Sequence, residues 1–377
     1  MARTPLSSEM DRLAGVPLSE TLLAMGNALD TDTGAVITGY APSGGLPLVF
    51  LRESVWVAFA WDLAHMIEQA QKHAQFCLGL IRQADRPSHP AGTWPIMVSA
   101  DGAEVLPDTV LDPGVGAWVL SFFWRHAQRL PESERYVFLS SCWPSVESTV
   151  DFLVRWVDSR NRRPLAGFDA NRWRDTVDDM TLLEHYMGVD AGLRIAAAIN
   201  QKPSESWSRR KRELDALIRF YCVGRGGEWM SSAMLPFWQD EFRETALPSW
   251  AKLAEKRVFS PGSGQPPDPR GICDAALAFR GDTGKLNAMK PLVCEQGRHG
   301  LSSVYEAALH FITIATIYGD DETVFHVEPS GEALHFNDVV SQLKDALFAT
   351  PGDSTHPPHV PRETSAPAFS SDSETGR

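Results

Sequence analysis

The chain has 377 residues, 43% hydrophobic and 22% charged, the balance of a globular protein large enough for one big barrel or toroid. Its formal net charge of -13 argues against nucleic acid or an anionic membrane surface as a partner, because both require a basic face. Five scattered cysteines with no CxxC spacing read as reduced thiols, which excludes a disulfide framework and a cysteine zinc site.

The opening MARTPLSSEMDRL has no apolar run behind its positive charge and predicts no signal peptide. No stretch of membrane-spanning length is free of charge, so a cytoplasmic location is expected. Ala35–Thr38 and Leu48–Leu51 are short strand signals. Directly after them Arg52 and Glu53 open an apolar helix. A cation gains nothing from the positive end of a helix dipole, so Arg52 is a candidate for gripping a carboxylate or a set of hydroxyls. The alternative is a simple surface ion pair.

Apolar residues from Trp56 to Ile81 recur at three- and four-residue steps, which predicts one long amphipathic stripe. Pro95–Ser99 is a third strand signal. Asp112-Pro113-Gly114 starts a second helical pattern through Val115, Trp118, Phe122 and His126. Tyr136–Val157 and Leu182–Ile199 carry a third and a fourth. Ser206–Phe220, Ser231–Phe242, Ile272–Phe279, Leu301–Tyr318 and Asn337–Phe348 complete the helical series, with Thr323–Val327 as a last strand signal. The chain therefore reads as all-α, its strands confined to small hairpins. Long polar loops at Arg82–Leu111 and Asp158–Asp179 are where function is expected. Phe259–Arg270 reads as a linker or surface loop, and residues 350–377 as a disordered tail.

Several segments follow one another in an informative order. LSETLLAMGNALDTDTGAVITGY leads into LVFLRE. AGTWP (Ala91–Pro95) and VLDPGVGAWVL (Val110–Leu120) come next. SCWPSVESTVDFLVRW (Ser141–Trp156), PLAGFD (Pro164–Asp169) and VDAGLRIAAAI (Val189–Ile199) complete the series. In this order, over roughly Leu18–Asn200, the chain resembles the glucoamylase family of glycoside hydrolases. The resemblance implies an (α/α)6 toroid of helical hairpins over residues 1–349.

It also implies an inverting mechanism, in which one carboxylic acid protonates the glycosidic oxygen and a second carboxylate activates water. The family's Trp-Glu-Glu acid segment is absent. Counting back from VDAGL, RWRDTVDD takes its place, with Asp175 as acid, Asp178 next and Glu184 after it. The family's base segment falls on Glu295-Gln296, making Glu295 the base. Asp175 and Glu295 are closer in sequence than the family's pair, so one hairpin is expected to be shortened or absent.

Arg52, Glu53, Asp112, Asp178 and Asp179 would hold the sugar, with Trp94 and Trp173 as loop indoles for stacking. Trp56, Trp118, Trp143 and Trp156 lie on apolar stripes and read as core. The expected partner is a small-molecule or oligosaccharide substrate. No cofactor or metal is expected, since the histidines show no HxH or HExxH spacing.

Other readings stay open. His335–Asp345 looks like the magnesium-binding segment of class I terpene synthases, with Asp345 in place of Glu; its bland reading is a helix capped by Asn337 or Asp338. The toroid could also serve another small-molecule transformation, or act as a non-catalytic binding or scaffold protein.

Overall fold

The computed structural model describes residues 11–41, 45–85, 90–106, 111–165, 168–169, 172–173, 179–220, 255, 258–259, 269–319, 324–327 and 332–348. Two kinds of helix alternate along this chain. In α2 (Leu51–Leu63) every residue from Ser54 to Asp62 is buried. The same holds for Gly114–Phe123 in α4 (Gly114–Ala127), Ile272–Ala278 in α8 (Pro269–Ala278) and Ala307–Ile314 in α10 (Val304–Tyr318). A helix buried on all sides belongs to an inner layer.

The helices between them bury a single stripe. In α3 (Ile67–Leu78) it is Ala70, His73, Ala74 and Cys77, and in α7 (Glu205–Ile218) it is Trp207, Arg210, Leu214 and Ile218. These, with α1 (Leu18–Asn27), α5 (Glu132–Arg155), α9 (Thr283–His299) and α11 (Phe336–Phe348), form an outer layer. α6 (Asp179–Ala198), also an inner helix, packs against α4, α5 and α7. α2 packs against α4 and α10, and α10 against α8, so the described inner helices follow one another as neighbours in the order α8, α10, α2, α4, α6. This is the expected toroid of helical hairpins. Ser231–Phe242, expected to be a helix, and the 350–377 tail lie outside the described residues.

The strands are small, as expected. β1 (Gly39–Tyr40), β2 (Pro47–Phe50) and β3 (Met97–Ser99) make one antiparallel sheet, with Leu48 opposite Ser99 and Val49 opposite Val98. β2 runs straight into α2, so this sheet fixes where Arg52 enters the ring. β4 (Phe168–Asp169) pairs with β5 (Arg172–Trp173), and β6 (Val324–Val327) with β7 (Glu332–His335).

Two expectations need correction. The single stripe from Trp56 to Ile81 is two helices: α2 stops at Leu63, His65 takes a left-handed backbone with φ 56°, and α3 starts at Ile67. One residue in that conformation turns the chain from the inner layer to the outer one. Glu295 lies within α9, in a stretch where the apolar pattern predicted no helix.

The N-terminal segment closes the ring. Ala14 O accepts a hydrogen bond from Nε2 of buried His310 on α10, at 3.1 Å. Gly15, at φ +74°, lies so close to the Cys294 carbonyl that a Cβ would collide with it, and Gly297 meets the Ala14 carbonyl in the same way. No helix among the described residues is long and apolar enough to cross a membrane.

Candidate active site at the helix N-termini

Each of the five inner helices among the described residues brings a polar or aromatic side chain, at or near its N-terminal end, into one contact chain. Arg52, in the first turn of α2, donates from Nη2 to Asp112 Oδ2 at 2.6 Å and from Nη1 to Glu184 Oε1 at 2.8 Å. Asp112 precedes α4 and also accepts the Gly114 N–H at 2.9 Å, so one carboxylate both caps a helix and holds the arginine. Glu184 stands in the second turn of α6, its side chain 4% exposed, and takes a further hydrogen bond from Trp118 Nε1 at 2.8 Å. Gly114 makes this possible: a Cβ there would sit on the Glu184 carboxylate.

The chain continues through aromatic rings. The Arg52 guanidinium lies 6.0 Å from the centre of the Trp118 ring, and Trp118 lies 5.7 Å from Trp56. Trp56 in turn has the Arg270 guanidinium 4.4 Å from its ring centre, a close cation–π contact. Arg270, at the start of α8, also donates to Asp274 Oδ1 at 3.1 Å and to the Tyr305 hydroxyl in the first turn of α10.

Burial works against the charge of Arg270, yet Asp274 and the Tyr305 oxygen hold its pKa above the usual value. Burial pushes the Tyr305 phenol up to about 12, against the pull of Arg270. Arg52 and Asp112 keep 35% and 31% of their side chains exposed, so a ligand can reach them. Glu53, half-buried beside Arg52, has its carboxyl raised above the ordinary carboxylate range by burial.

The predicted site residues fall into three groups. Arg52, Glu53 and Asp112 are together at this end of the ring, as the sequence suggested. Asp175 and Asp178 lie outside the described residues, and Trp173 and Asp179 are described by backbone alone, in β5 and at the start of α6. Glu295 is exposed, one turn before α9 ends.

Trp94 requires correction as a stacking platform. It is 1% exposed, donates from Nε1 to Thr149 at 2.9 Å and packs edge-on to Phe123. Protein atoms cover its faces, and glycine at 116 makes room for it. Trp56 and Trp118 are buried as expected, but they also carry the two arginines.

The magnesium-like segment forms α11 in the outer layer, where the Asp338 carboxylate accepts the His335 N–H at 3.2 Å. That is the return half of a helix capping box. Among the described residues, no three His, Cys, Asp or Glu side chains gather as they would around a metal ion.

Sequence reasoning did not single out Arg270, Asp274 or Tyr305. The one available signal was that Arg270 follows Pro269 at a helix start, a cation at the unfavourable end of a dipole, as Arg52 is.

No protein-family model matches the sequence, and no curated protein matches it. Solved structures do share its fold. A wild-type glycosidase matches at 14% identity and a TM-score of 0.54, over 83% of this chain and 98% of its own. The GH63 mannosylglycerate hydrolase from Thermus thermophilus, solved in complex with glucose, matches at 13% identity and 0.53, over 78% and 98%. The Hormoconis resinae glucoamylase matches at 12% identity and 0.51, over 91% and 74%. At these identities the likeness is one of fold: the chain is a helical-hairpin toroid of the kind these glycosidases have.

Proposed function

We propose that the protein hydrolyses a glycosidic bond by an inverting, two-carboxylate mechanism at the N-terminal ends of the inner helices. The observation that carries this reading is the Arg52 cluster. Five inner helices converge there on a polar cluster whose Arg52 and Asp112 stay one-third exposed, its two arginines backed by buried tryptophans. A sugar's hydroxyls would take hydrogen bonds from the guanidinium and carboxylate groups there.

In the proposed reaction Asp175 protonates the departing glycosidic oxygen and Glu295 deprotonates the water that attacks from the opposite face. The two carboxyls would stand about 6.5–9.5 Å apart with water between them. Arg52, Glu53, Asp112, Asp178, Asp179 and Trp173 hold the sugar. Two features support these roles. Asp175 and Asp178 come just before α6, whose second turn supplies Glu184 to Arg52. Glu295 is exposed near the end of α9, from which the chain passes directly to the first turn of α10. Glu184, engaged by both Arg52 and Trp118, positions the arginine.

The test is turnover of a panel of aryl α-glucosides and short maltosaccharides, with the anomer of the first product read by proton NMR. Wild type should release the inverted anomer, and Asp175→Asn and Glu295→Gln should each lose about 100-fold or more in kcat. Sugar binding without turnover by wild type would leave a binding protein and remove the hydrolase assignment. Unchanged turnover in either variant would remove that residue from its role.

A further inference from the structure

A second concavity lies behind the first turn of α10. It is a cleft of about 640 Å³ between α1, the β1 strand and the 300–304 segment. The volume suits a ligand of small-molecule size. Glu20, Ala24 and Asn27 line it from successive turns of α1, so a carboxylate and an amide stand about 10 Å apart along one helix face, with a methyl group between them. Ile37, Val304 and Ala307 make its floor apolar. Tyr40, at the edge, is 69% exposed.

Thr38 and Ser303 line the cleft too, but their hydroxyls serve the fold by accepting the Phe50 and Glu306 N–H groups. Among the described residues, no hydrogen bond or ion pair occupies the side chains of Glu20, Asn27 or Tyr40. An exposed phenol ring, a carboxylate, an amide and an apolar floor are what a pyranose needs: a face for its C–H groups, and donors and acceptors for its hydroxyls. The Glu20 carboxylate and the net charge of -13 disfavour an anionic ligand.

One helical turn of α10 separates the cleft from the Arg52 cluster. Val304 and Ala307 face the cleft, while Tyr305 between them reaches Arg270 on the inner side. We infer that this cleft is a distal sugar subsite, holding the far rings of an oligosaccharide whose scissile end lies over the Arg52 cluster. The inference rests on the hydrolase reading for its second half. The cleft's affinity for sugar does not depend on turnover.

Full-length protein is titrated calorimetrically with maltose and maltoheptaose, alongside Tyr40→Ala and Glu20→Gln, and kcat/KM on an aryl α-glucoside is measured for each. Maltoheptaose should bind each variant about five-fold more weakly than wild type, with kcat/KM on the short glucoside unchanged. Maltoheptaose bound equally by all three proteins, or by none, overturns the subsite. So does an equal loss on maltose and maltoheptaose. Tyr40-dependent binding of maltoheptaose with no turnover by wild type keeps the subsite and removes the hydrolase reading.

Discussion

The same pair of parallel helices carries a polar centre at each end, and the two centres are built differently. At the N-terminal ends of α2 and α4, Arg52 and Asp112 are about one-third exposed, and Arg52 also meets Glu184 and the Trp118 indole. At the C-terminal ends, Asp62 and His126 are sealed, with side chains 2% and 0% exposed. There His126 Nδ1 lies 2.8 Å from Asp62 Oδ1, and its Nε2 lies 2.6 Å from Gln71 Oε1. Burial raises the Asp62 carboxyl pKa, with His126 pulling it back. A sealed pair can only hold helices in register; a half-open one can also exchange protein partners for a ligand's hydroxyls. Exposure, more than charge, separates the sealed centre from the candidate site along these helices.

The largest effect should come from breaking the sealed end. His126→Ala leaves Asp62 buried with its Oδ2 already lacking a hydrogen bond, so urea titration should show a loss of about 3–5 kcal/mol. Next comes Arg52→Ala. Being partly exposed, Arg52 should cost less stability than His126, about 2 kcal/mol, while glycoside turnover falls about 100-fold or more. If Arg52→Ala unfolded the protein and His126→Ala removed activity from a stable fold, the contrast between the two ends would be reversed.

Gly114→Ala sharpens the comparison without deleting a polar group. Its Cβ displaces the Glu184 carboxylate, so a stability loss of about 1–3 kcal/mol is expected from overpacking, with a further drop in turnover. Unaltered kinetics in this variant would show that Glu184 does not position Arg52.

A further effect, spread over several pH units, is a pH slope set by sealed histidines. Burial depresses both His73 and His310 to about 4, against the opposing pull of the Gly34 and Ala14 carbonyls. Between pH 6.5 and about 4 the unfolded chain binds protons that these folded imidazoles refuse, so stability falls as pH falls. Each histidine contributes a slope of up to about 1.4 kcal/mol per pH unit in that window. Urea midpoints at pH 7, 6 and 5 should therefore decline, and His310→Leu should show a shallower decline than wild type.

Much of the scaffold was legible because apolar periodicity survives without tertiary information. α4, α5, α6, α7 and α10 lie where their stripes predicted them. The break at His65 was hidden because apolar residues continue through it, and only a left-handed backbone separates the two helices. Helix α9 was missed because its sequence is polar and holds Pro291. At the site, Arg52 announced itself by standing at the wrong end of a helix dipole. Its union with Glu184 depends on how α2 and α6 pack, which no local pattern encodes. Trp94 shows the converse: a tryptophan in a glycine-rich loop looks available for stacking, and only the packing of Thr149 and Phe123 shows that it is covered. Arg270 was lost in a segment whose prolines and glycines read as a loop.

The contact between Ala14 and His310 joins residues 296 positions apart. At translation rates of about 5–20 residues per second, the first of these waits roughly 15–60 s on the ribosome for the second. The early hairpins can pack in sequence as they emerge, but circular closure is a late, long-range event with a correspondingly slow rate. Until α10 has been made, the faces of α1 and α2 that it covers lack their partner, and those are the surfaces that chaperones would meet first.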